Sequence, residues 1–363
     1  MNELCLEYKP DAARAFERIA AWWEKGILDR PTLQVTAPAA NPRPVPRKEH
    51  ATLAERWMDV EHTVACADAW IASTYWGGEI LPAFFPNLGP EVLTAALGAP
   101  LEFMNETSYS VPILRNWADV PNLAFDPASS AVRTVAEMTR RGLEVGSGRF
   151  LTGITDLHPG GDLAASLRDP QQLCVDLAET PEQVHALMGR LRPTFYQFFV
   201  LQHEMMRAAG QTITTSWLPL CAEGRYYIPS NDFSCMVSEP MFREFFLEEI
   251  VEEVEWLDRS IYHLDGPGAL RHLDTLLEIE RLDAIQYVIG AGNEPASRWM
   301  HVFRRIQEGG KNLHIDIAPD ELDTFMEALR PEGVMLKTWA RTPEEADALV
   351  ARVARWGTHG RAR

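Results

Sequence analysis

The chain has 363 residues, of which 46% are hydrophobic and 24% charged, and its formal net charge is −18. This composition is typical of a globular protein, and the length suits one large α/β domain or two small ones. The acidic balance disfavours nucleic acid and anionic membrane surfaces as partners, because both are bound through clustered Lys and Arg.

The first ten residues lack the basic and then apolar pattern of a signal peptide, and no apolar run approaches the roughly 18 residues of a membrane span. The five cysteines are scattered and include no CxxC, which argues against a disulfide framework and against a thiolate zinc site. We therefore expect a cytoplasmic protein with reduced cysteines.

The predicted elements begin with an amphipathic helix over residues 11–25, followed by a short strand over 32–35. A proline-rich loop covers 38–46, and a second helix is predicted over 51–73. Residues 74–90 are rich in Gly, Pro and large aromatics. Their composition predicts a packed loop or a pocket lid rather than regular structure.

From about residue 127 onwards, helix-like segments alternate with short β-rich runs. The predicted strands are 150–154, 212–216, 260–264, 284–288, 312–317 and 334–338, and the longest predicted helix of this part covers 181–208. Such alternation indicates parallel strands joined by right-handed crossovers, which leaves a barrel or an open doubly wound sheet. No GxGxxG follows a strand, so a dinucleotide-binding fold lacks its main signature. We predict a single-domain (β/α)8 barrel, with residues 1–30 as an N-terminal helical extension.

Acidic and histidine side chains stand at the ends of three predicted strands, where a barrel carries its active site. They form pairs two residues apart: Asp156/His158, His263/Asp265 and His314/Asp316. Residues i and i+2 of a strand point to the same face, so each pair offers an imidazole and a carboxylate to one region. Such a pair suits general acid–base chemistry or the binding of a divalent metal.

Each of these features also has a purely structural interpretation. The first pair could form a turn whose aspartate caps the next helix, and the third could be a hydrogen-bonded pair buried in the barrel wall. The second pair sits at the tip of an apolar strand, where burial without pairing would cost several kcal/mol. Asp232, in the run NDFSCM, could cap a short turn, and Lys337 could extend into solvent.

Four runs around these positions resemble the uroporphyrinogen decarboxylase superfamily, which includes porphyrinogen decarboxylases and zinc-dependent corrinoid and thiol methyltransferases. They are NDFS at 231–234, SEPMFREF at 238–245, YHLDGPG at 262–268 and IQY at 285–287. The resemblance is collinear over roughly residues 20–355. It implies a (β/α)8 barrel with an N-terminal extension.

The departures from that pattern narrow what the resemblance implies. No arginine-bearing segment like RQAGRY stands near the N-terminus, so the chain is not expected to be a porphyrinogen decarboxylase. The methyltransferases bind zinc through a His-x-Cys pair and a later cysteine. Here Asp265 takes the place of the first cysteine, and the end of the last strand, which reads KTWA at 337–340, offers none. A His263/Asp265 set would hold zinc more weakly or prefer another divalent metal, so the chain resembles the unassigned branch.

The resemblance favours methyl transfer between a small methylated substrate and a corrinoid or thiol acceptor. In this hypothesis His263 and Asp265 form the central site or bind the metal. Asp156, His158 and Asp232 act as acid–base or orienting groups.

Further residues are predicted to contact the substrate: Trp76, Trp217, Gln286 and His314. The two tryptophans offer faces on which a methylated cation can stack. The partners expected under this hypothesis are the small-molecule substrate and a corrinoid protein. A homodimer is the default expectation for the oligomeric state.

Two alternatives remain open. The chain could be a metal-free decarboxylase or lyase that transfers a proton through Asp232 or His263 and holds a substrate carboxylate with Arg225 or Lys337. It could also be a non-catalytic barrel that binds a corrinoid protein, since the thiolate ligands are missing.

Overall fold

The computed structural model describes residues 4–356 of the chain. The α-helices within this range are α1 (Ala12–Trp23), α2 (Leu53–Met58), α3 (Val60–Ala72), α4 (Val92–Ala96), α5 (Ser130–Gly146), α6 (Gly160–Arg168), α7 (Pro170–Glu179), α8 (Pro181–Leu191), α9 (Pro193–Ala208), α10 (Glu239–Phe245), α11 (Leu247–Trp256), α12 (Gly266–Ala269), α13 (Leu273–Leu277), α14 (Met300–Glu308), α15 (Leu322–Ala328) and α16 (Pro343–Val353). The strands are β1 (Thr32–Pro38), β2 (Thr74–Gly78), β3 (Ala83–Phe84), β4 (Leu101–Phe103), β5 (Ser108–Ser110), β6 (Leu151–Thr152), β7 (Ile213–Thr215), β8 (Cys221–Glu223), β9 (Tyr226–Tyr227), β10 (Arg259–Asp265), β11 (Ala284–Val288), β12 (Asn312–Asp316) and β13 (Val334–Trp339).

The central sheet has seven strands in the order β2-β1-β13-β12-β11-β10-β9. From β1 to β9 every neighbouring pair is parallel. This confirms the α/β class and the parallel pairing predicted from the alternation of helices and strands. Because the strands are parallel, their carboxyl ends meet at one edge of the sheet, which is where ligand sites of α/β proteins lie.

Strand β2 corrects the prediction that residues 74–90 lack regular structure. It runs antiparallel to β1, and two glycines allow the close approach. A Cβ at Gly77 would lie 2.8 Å from the Val35 side chain. Gly78 has a φ of +62°, and a Cβ there would lie 1.9 Å from the Leu33 carbonyl oxygen. The two glycines, which are typical of a loop in the sequence, therefore allow β2 to pair closely with β1.

Three smaller pairs of strands accompany the central sheet. β3 and β6 pair in parallel, whereas β4–β5 and β7–β8 are antiparallel. Backbone hydrogen bonds extend the β3–β6 pair: Gly153 donates to Phe84 (2.7 Å) and Ile154 donates to Thr215 (2.8 Å). These bonds join β3, the chain after β6 and β7 into a second hydrogen-bonded array.

Helix α1 covers the amino-terminal end of the parallel strands. Its apolar face, which includes Ile19 and Trp22, belongs to the same buried cluster as Ile261, Ala284 and Met335 near the starts of β10, β11 and β13. Burial of one large apolar side chain stabilises a fold by about 1.5–3 kcal/mol. The helix therefore closes this end and leaves the carboxyl end for a site.

Two predicted helices are each divided into two. The segment 51–73 breaks at Asp59, whose side chain accepts from the His62 amide and caps α3. The segment 181–208 breaks at Arg192, because Pro193 starts a new helix more readily than it continues one. Within residues 4–356, none of the helices combines the length and the apolar character that a bilayer crossing requires.

Candidate functional site

Three side chains with metal-binding chemistry meet at the carboxyl edge of the central sheet. His263 and Asp265 lie at the end of β10, and Asp232 opens a 3-10 turn (Asp232–Met236) shortly after β9. A β-bridge between Ser230 and His263 holds this turn beside the strand. The ligand atoms of Asp232, His263 and Asp265 all lie within 4.8 Å of one another.

A second group shares Asp232. It consists of His158, Asp162 and Asp232, again with ligand atoms within 4.8 Å of one another. His158 Nε2 lies 3.1 Å from Asp156 Oδ1, and its Nδ1 lies 3.4 Å from Asp162 Oδ2 and 3.9 Å from Asp232 Oδ2. The imidazole therefore sits among three carboxylates.

Asp162 is the residue of this group that the sequence prediction missed. It lies in the first turn of α6, where its carboxylate accepts from the backbone amides of Asp232 (3.0 Å) and Phe233 (2.7 Å). A Cβ at Gly161 would lie 2.6 Å from the Asn231 side chain, so glycine is needed for this close approach. The spacing of His158 and Asp162, four residues apart at a helix start, was the available signal.

The carboxylates set the charge of this region. Burial alone would lower the pKa of His158, but Asp156 and Asp162 outweigh it and raise that pKa well above its usual value. Burial and the charge of Asp162 raise the pKa of Asp232 to about 6. His158 therefore keeps its proton at neutral pH, and Asp232 titrates close enough to neutral pH to act as a general acid or base.

His263 has a different environment. Its Nδ1 lies 2.8 Å from Gln286 Oε1, which belongs to the adjacent strand β11. The ring of Trp217 meets the His263 ring edge-on, with 5.1 Å between the centroids. The structure thus brings together Asp232, His263, Gln286 and Trp217 of the predicted set.

The third predicted pair lies on β12. His314 is fully buried, and its Nε2 lies 2.9 Å from Gln34 Oε1. Burial lowers its pKa to about 4. Asp316 lies further along the strand at the rim, where it accepts from Lys337 Nζ (2.6 Å). Lys337 is therefore engaged by a neighbouring carboxylate, and His314 is enclosed by protein.

Two predicted residues lie in other surroundings. Trp76 is buried in β2, donates from Nε1 to the Ile71 carbonyl (3.1 Å) and packs against Trp70. Arg225 pairs with Asp258, which directly precedes β10, and therefore lies toward the amino-terminal end of that strand. The structure does not bring Arg225 to the two acidic groups.

A cavity of about 250 Å³ lies over the second group and is lined by His158, Asp162 and Asp232. Phe233 and Cys235 also line it, and neither was a predicted site residue. Its wall is mostly apolar with a few convergent polar groups, which is typical of small-molecule sites.

Both groups fit a divalent cation by their donor types, one imidazole and two carboxylates in each. Asp232 Oδ1 is buried and has no hydrogen-bond partner, and a cation would satisfy it. Oxygen and imidazole donors suit zinc, manganese and similar ions, whereas neither group contains the thiolates that make zinc sites soft.

Comparison with solved structures shows what the fold is similar to. The fold is similar to that of a methyltransferase from Methanosarcina mazei, with a TM-score of 0.59 over 93% of this chain and 98% of the other. The two sequences are 12% identical. No protein-family model matches the chain, and no curated protein sequence matches it. The likeness is therefore one of fold.

Proposed function

We propose that this chain is an enzyme that transfers a methyl group between a small methylated compound and a corrinoid or thiol acceptor. One observation carries the proposal. Asp232, His263 and Asp265 converge within 4.8 Å at the carboxyl edge of the sheet, in a chain with the fold of a methyltransferase. The sequence resemblance to the uroporphyrinogen decarboxylase superfamily supports the same activity.

The proposal includes a closed, single-domain (β/α)8 barrel. Support comes from the backbone bonds that continue from β3 through the chain after β6 to β7. β7 in turn lies beside β9, the last strand of the central sheet. A closed barrel would place the loops after β6, β9 and β10 around one mouth, as the shared position of Asp232 in both groups requires.

The surroundings favour a cationic methyl donor. Four carboxylates belong to or border the two groups: Asp156, Asp162, Asp232 and Asp265. Trp217 adds an aromatic ring beside His263. Negative charge and an aromatic face together are the usual means of binding a quaternary ammonium or sulfonium group.

A divalent cation held by Asp232, His263 and Asp265 would supply Lewis acidity, which lowers the pKa of an acceptor thiol. The protein's own groups have separate roles. Trp217 and the two carboxylates outside that set, Asp156 and Asp162, orient the methylated cation, so that the acceptor's electron pair reaches the methyl carbon. The donor heteroatom keeps the electron pair of the broken bond, and His158 supplies a proton where the leaving group needs one.

Cation binding tests the first part of the proposal. Protein stripped with EDTA is titrated with Zn²⁺ and with Mn²⁺ by calorimetry, and we expect one cation bound per chain. His263→Ala should abolish stoichiometric binding, whereas His301→Ala, a change at an exposed histidine, should leave it unchanged. His158→Ala reports whether the second group contributes. Absence of binding in the unsubstituted protein contradicts the metal-dependent mechanism.

Methyl transfer itself is tested with cob(I)alamin and a donor panel of quaternary ammonium, sulfonium and methyl ether compounds. The expected result is formation of methylcobalamin from a cationic donor, which is measured by the change in cobalamin absorbance. Tight cobalamin binding without methyl exchange across the panel would instead identify a non-catalytic binding protein.

A metal-free decarboxylase or lyase is the second candidate. The raised pKa of Asp232, about 6, favours it, because a carboxyl that titrates near neutral pH can transfer a proton without a metal. Neither Arg225 nor Lys337 supports it, since each is paired with an aspartate. Release of CO2 from small carboxylates by the EDTA-treated protein would favour this candidate over methyl transfer.

A further inference from the structure

A line of polar side chains crosses four adjacent parallel strands and ends on His263. His263 on β10 is in register with Gln286 on β11, and its Nδ1 lies 2.8 Å from Gln286 Oε1. Gln286 pairs in register with His314 on β12, two residues before Asp316, and its side-chain amide helps to lower the pKa of the Asp316 carboxyl as a hydrogen-bond donor. Asp316 accepts from Lys337 on β13 (2.6 Å), its partner in register.

The chemistry of each group gives this line a direction. A carboxylate accepts hydrogen bonds and donates none, so Gln286 must turn its NH2 toward Asp316. The Gln286 carbonyl oxygen then faces His263. An oxygen of that kind only accepts, so the neutral imidazole must carry its proton on Nδ1. The lone pair is left on Nε2.

Lys337 helps to keep Asp316, at the far end of the line, in its ionised form. Burial alone would raise the pKa of Asp316, but His314, Lys337 and the bond from Gln286 together lower it. An ionised carboxylate is the form that accepts from both Lys337 and Gln286. A protonated or amide group there would leave Gln286 free to turn over.

We propose that Gln286, Asp316 and Lys337 are positioning residues that fix the Nδ1–H tautomer of His263 and so leave the lone pair on Nε2, the ring nitrogen that Gln286 does not contact, available to the group that His263 forms with Asp232 and Asp265. A neutral imidazole free in water prefers the opposite tautomer, so the line of hydrogen bonds is needed. The role of these residues in metal binding rests on the proposed function, whereas the fixed tautomer of His263 does not depend on it.

The direct test is long-range 1H–15N NMR of protein labelled at histidine nitrogen, in EDTA and at a pH where the ring is neutral. The signal is assigned by its loss in His263→Gln. In the unsubstituted protein we expect Nδ1 protonated and Nε2 unprotonated. Gln286→Met removes the acceptor at similar volume, and His263 should shift toward Nε2–H.

Asp316→Asn is the sharper variant, because it changes one atom type at the rim. An Asn side chain can donate as well as accept, so Gln286 loses its required orientation and a mixture of tautomers should appear. Lys337→Met should give a smaller change in the same direction. Asp320→Asn, at an exposed aspartate four residues further along, should give none. Circular dichroism of each variant verifies folding.

The proposal is overturned if the unsubstituted protein already carries the proton on Nε2, or if Gln286→Met and Asp316→Asn leave the tautomer unchanged. Cation affinity gives a second readout, and Asp316→Asn should weaken it by about 10-fold. A fixed tautomer in a protein that binds no cation would uphold the hydrogen-bond line while contradicting the proposed function.

Discussion

The loop after β6 and the strand β12 carry the same two residue types at the same spacing, yet the structure holds their histidines in opposite states. His158 lies against Asp156 and Asp162, and its pKa is raised well above the usual value. His314 is enclosed by protein, bonded to Gln34, and its pKa falls to about 4. Desolvation acts on both rings in the same direction, so the number of neighbouring carboxylates decides the outcome.

This comparison assigns different tasks to the two pairs. His158 borders the cavity and holds a proton at neutral pH, which suits an acid or a partner for anionic groups. His314 is neutral at that pH and joins β12 to β1 through Gln34, which suits a structural hydrogen bond inside the sheet. The same pattern in sequence thus predicts chemistry in one place and packing in the other.

The largest expected effect concerns His314 at acidic pH. The unfolded chain takes up a proton near pH 6.5, but the folded protein does so only near pH 4. The contribution of neutral His314 to the free energy of unfolding is therefore fully present above pH 6.5 and is lost as the pH falls toward 4. At about 1.4 kcal/mol per pKa unit, this loss reaches roughly 3 kcal/mol.

His314→Gln keeps a donor for Gln34 and removes the titration. Urea unfolding at pH 7, 5 and 4 should show a smaller acid loss for this variant than for the unsubstituted protein. His301→Gln, at an exposed position, should retain the full loss. An equal loss in all three proteins would show that His314 does not have a lowered pKa in the folded protein.

A smaller effect is expected from Asp162→Ala in the His158 region. The variant removes two hydrogen bonds from backbone amides to a carboxylate and one neighbour of His158. Such bonds contribute about 1.5–3 kcal/mol each, and relief of repulsion with Asp232 offsets part of the loss, so we expect about 2 kcal/mol in the free energy of unfolding.

NMR titration of the same variant should show the pKa of Asp232 falling toward its ordinary value, because the charge of Asp162 is one cause of the raised pKa. Asp320→Ala, at the surface, is the matched control for both measurements. Unchanged stability together with an unchanged Asp232 pKa would contradict the assigned role of Asp162.

The smallest effect is expected from Asp156→Asn, measured in EDTA. The raised pKa of His158 means that its stabilising proton is fully present below about pH 6.5 and is lost as the pH rises through the folded-state pKa. The variant should lower that pKa and reduce the stability lost as the pH rises above 7. For a partly exposed pair the difference should be about 1 kcal/mol. A His158 that is already neutral at pH 7 in the unsubstituted protein would end the contrast with His314.

Residues two apart on a strand point to the same face, and this rule was most useful for the prediction at β10. It indicated that His263 and Asp265 serve one region, and the structure gathers them with Asp232. The rule does not reach Asp162, because the contact of this residue with Asp232 joins a helix start to a turn 70 residues later. It also misses Cys235, which reaches the cavity only through the 3-10 turn.

Local pattern alone determined the α/β class, the parallel strands and the clustering of acidic and histidine residues at strand ends, because periodicity and turn chemistry act over a few residues. Tertiary structure decided the pairing of β2 with β1, the position of Arg225 away from the site and the opposite charge states of His158 and His314. Those outcomes depend on which distant groups share a low-dielectric space, and spacing along the chain carries no record of that.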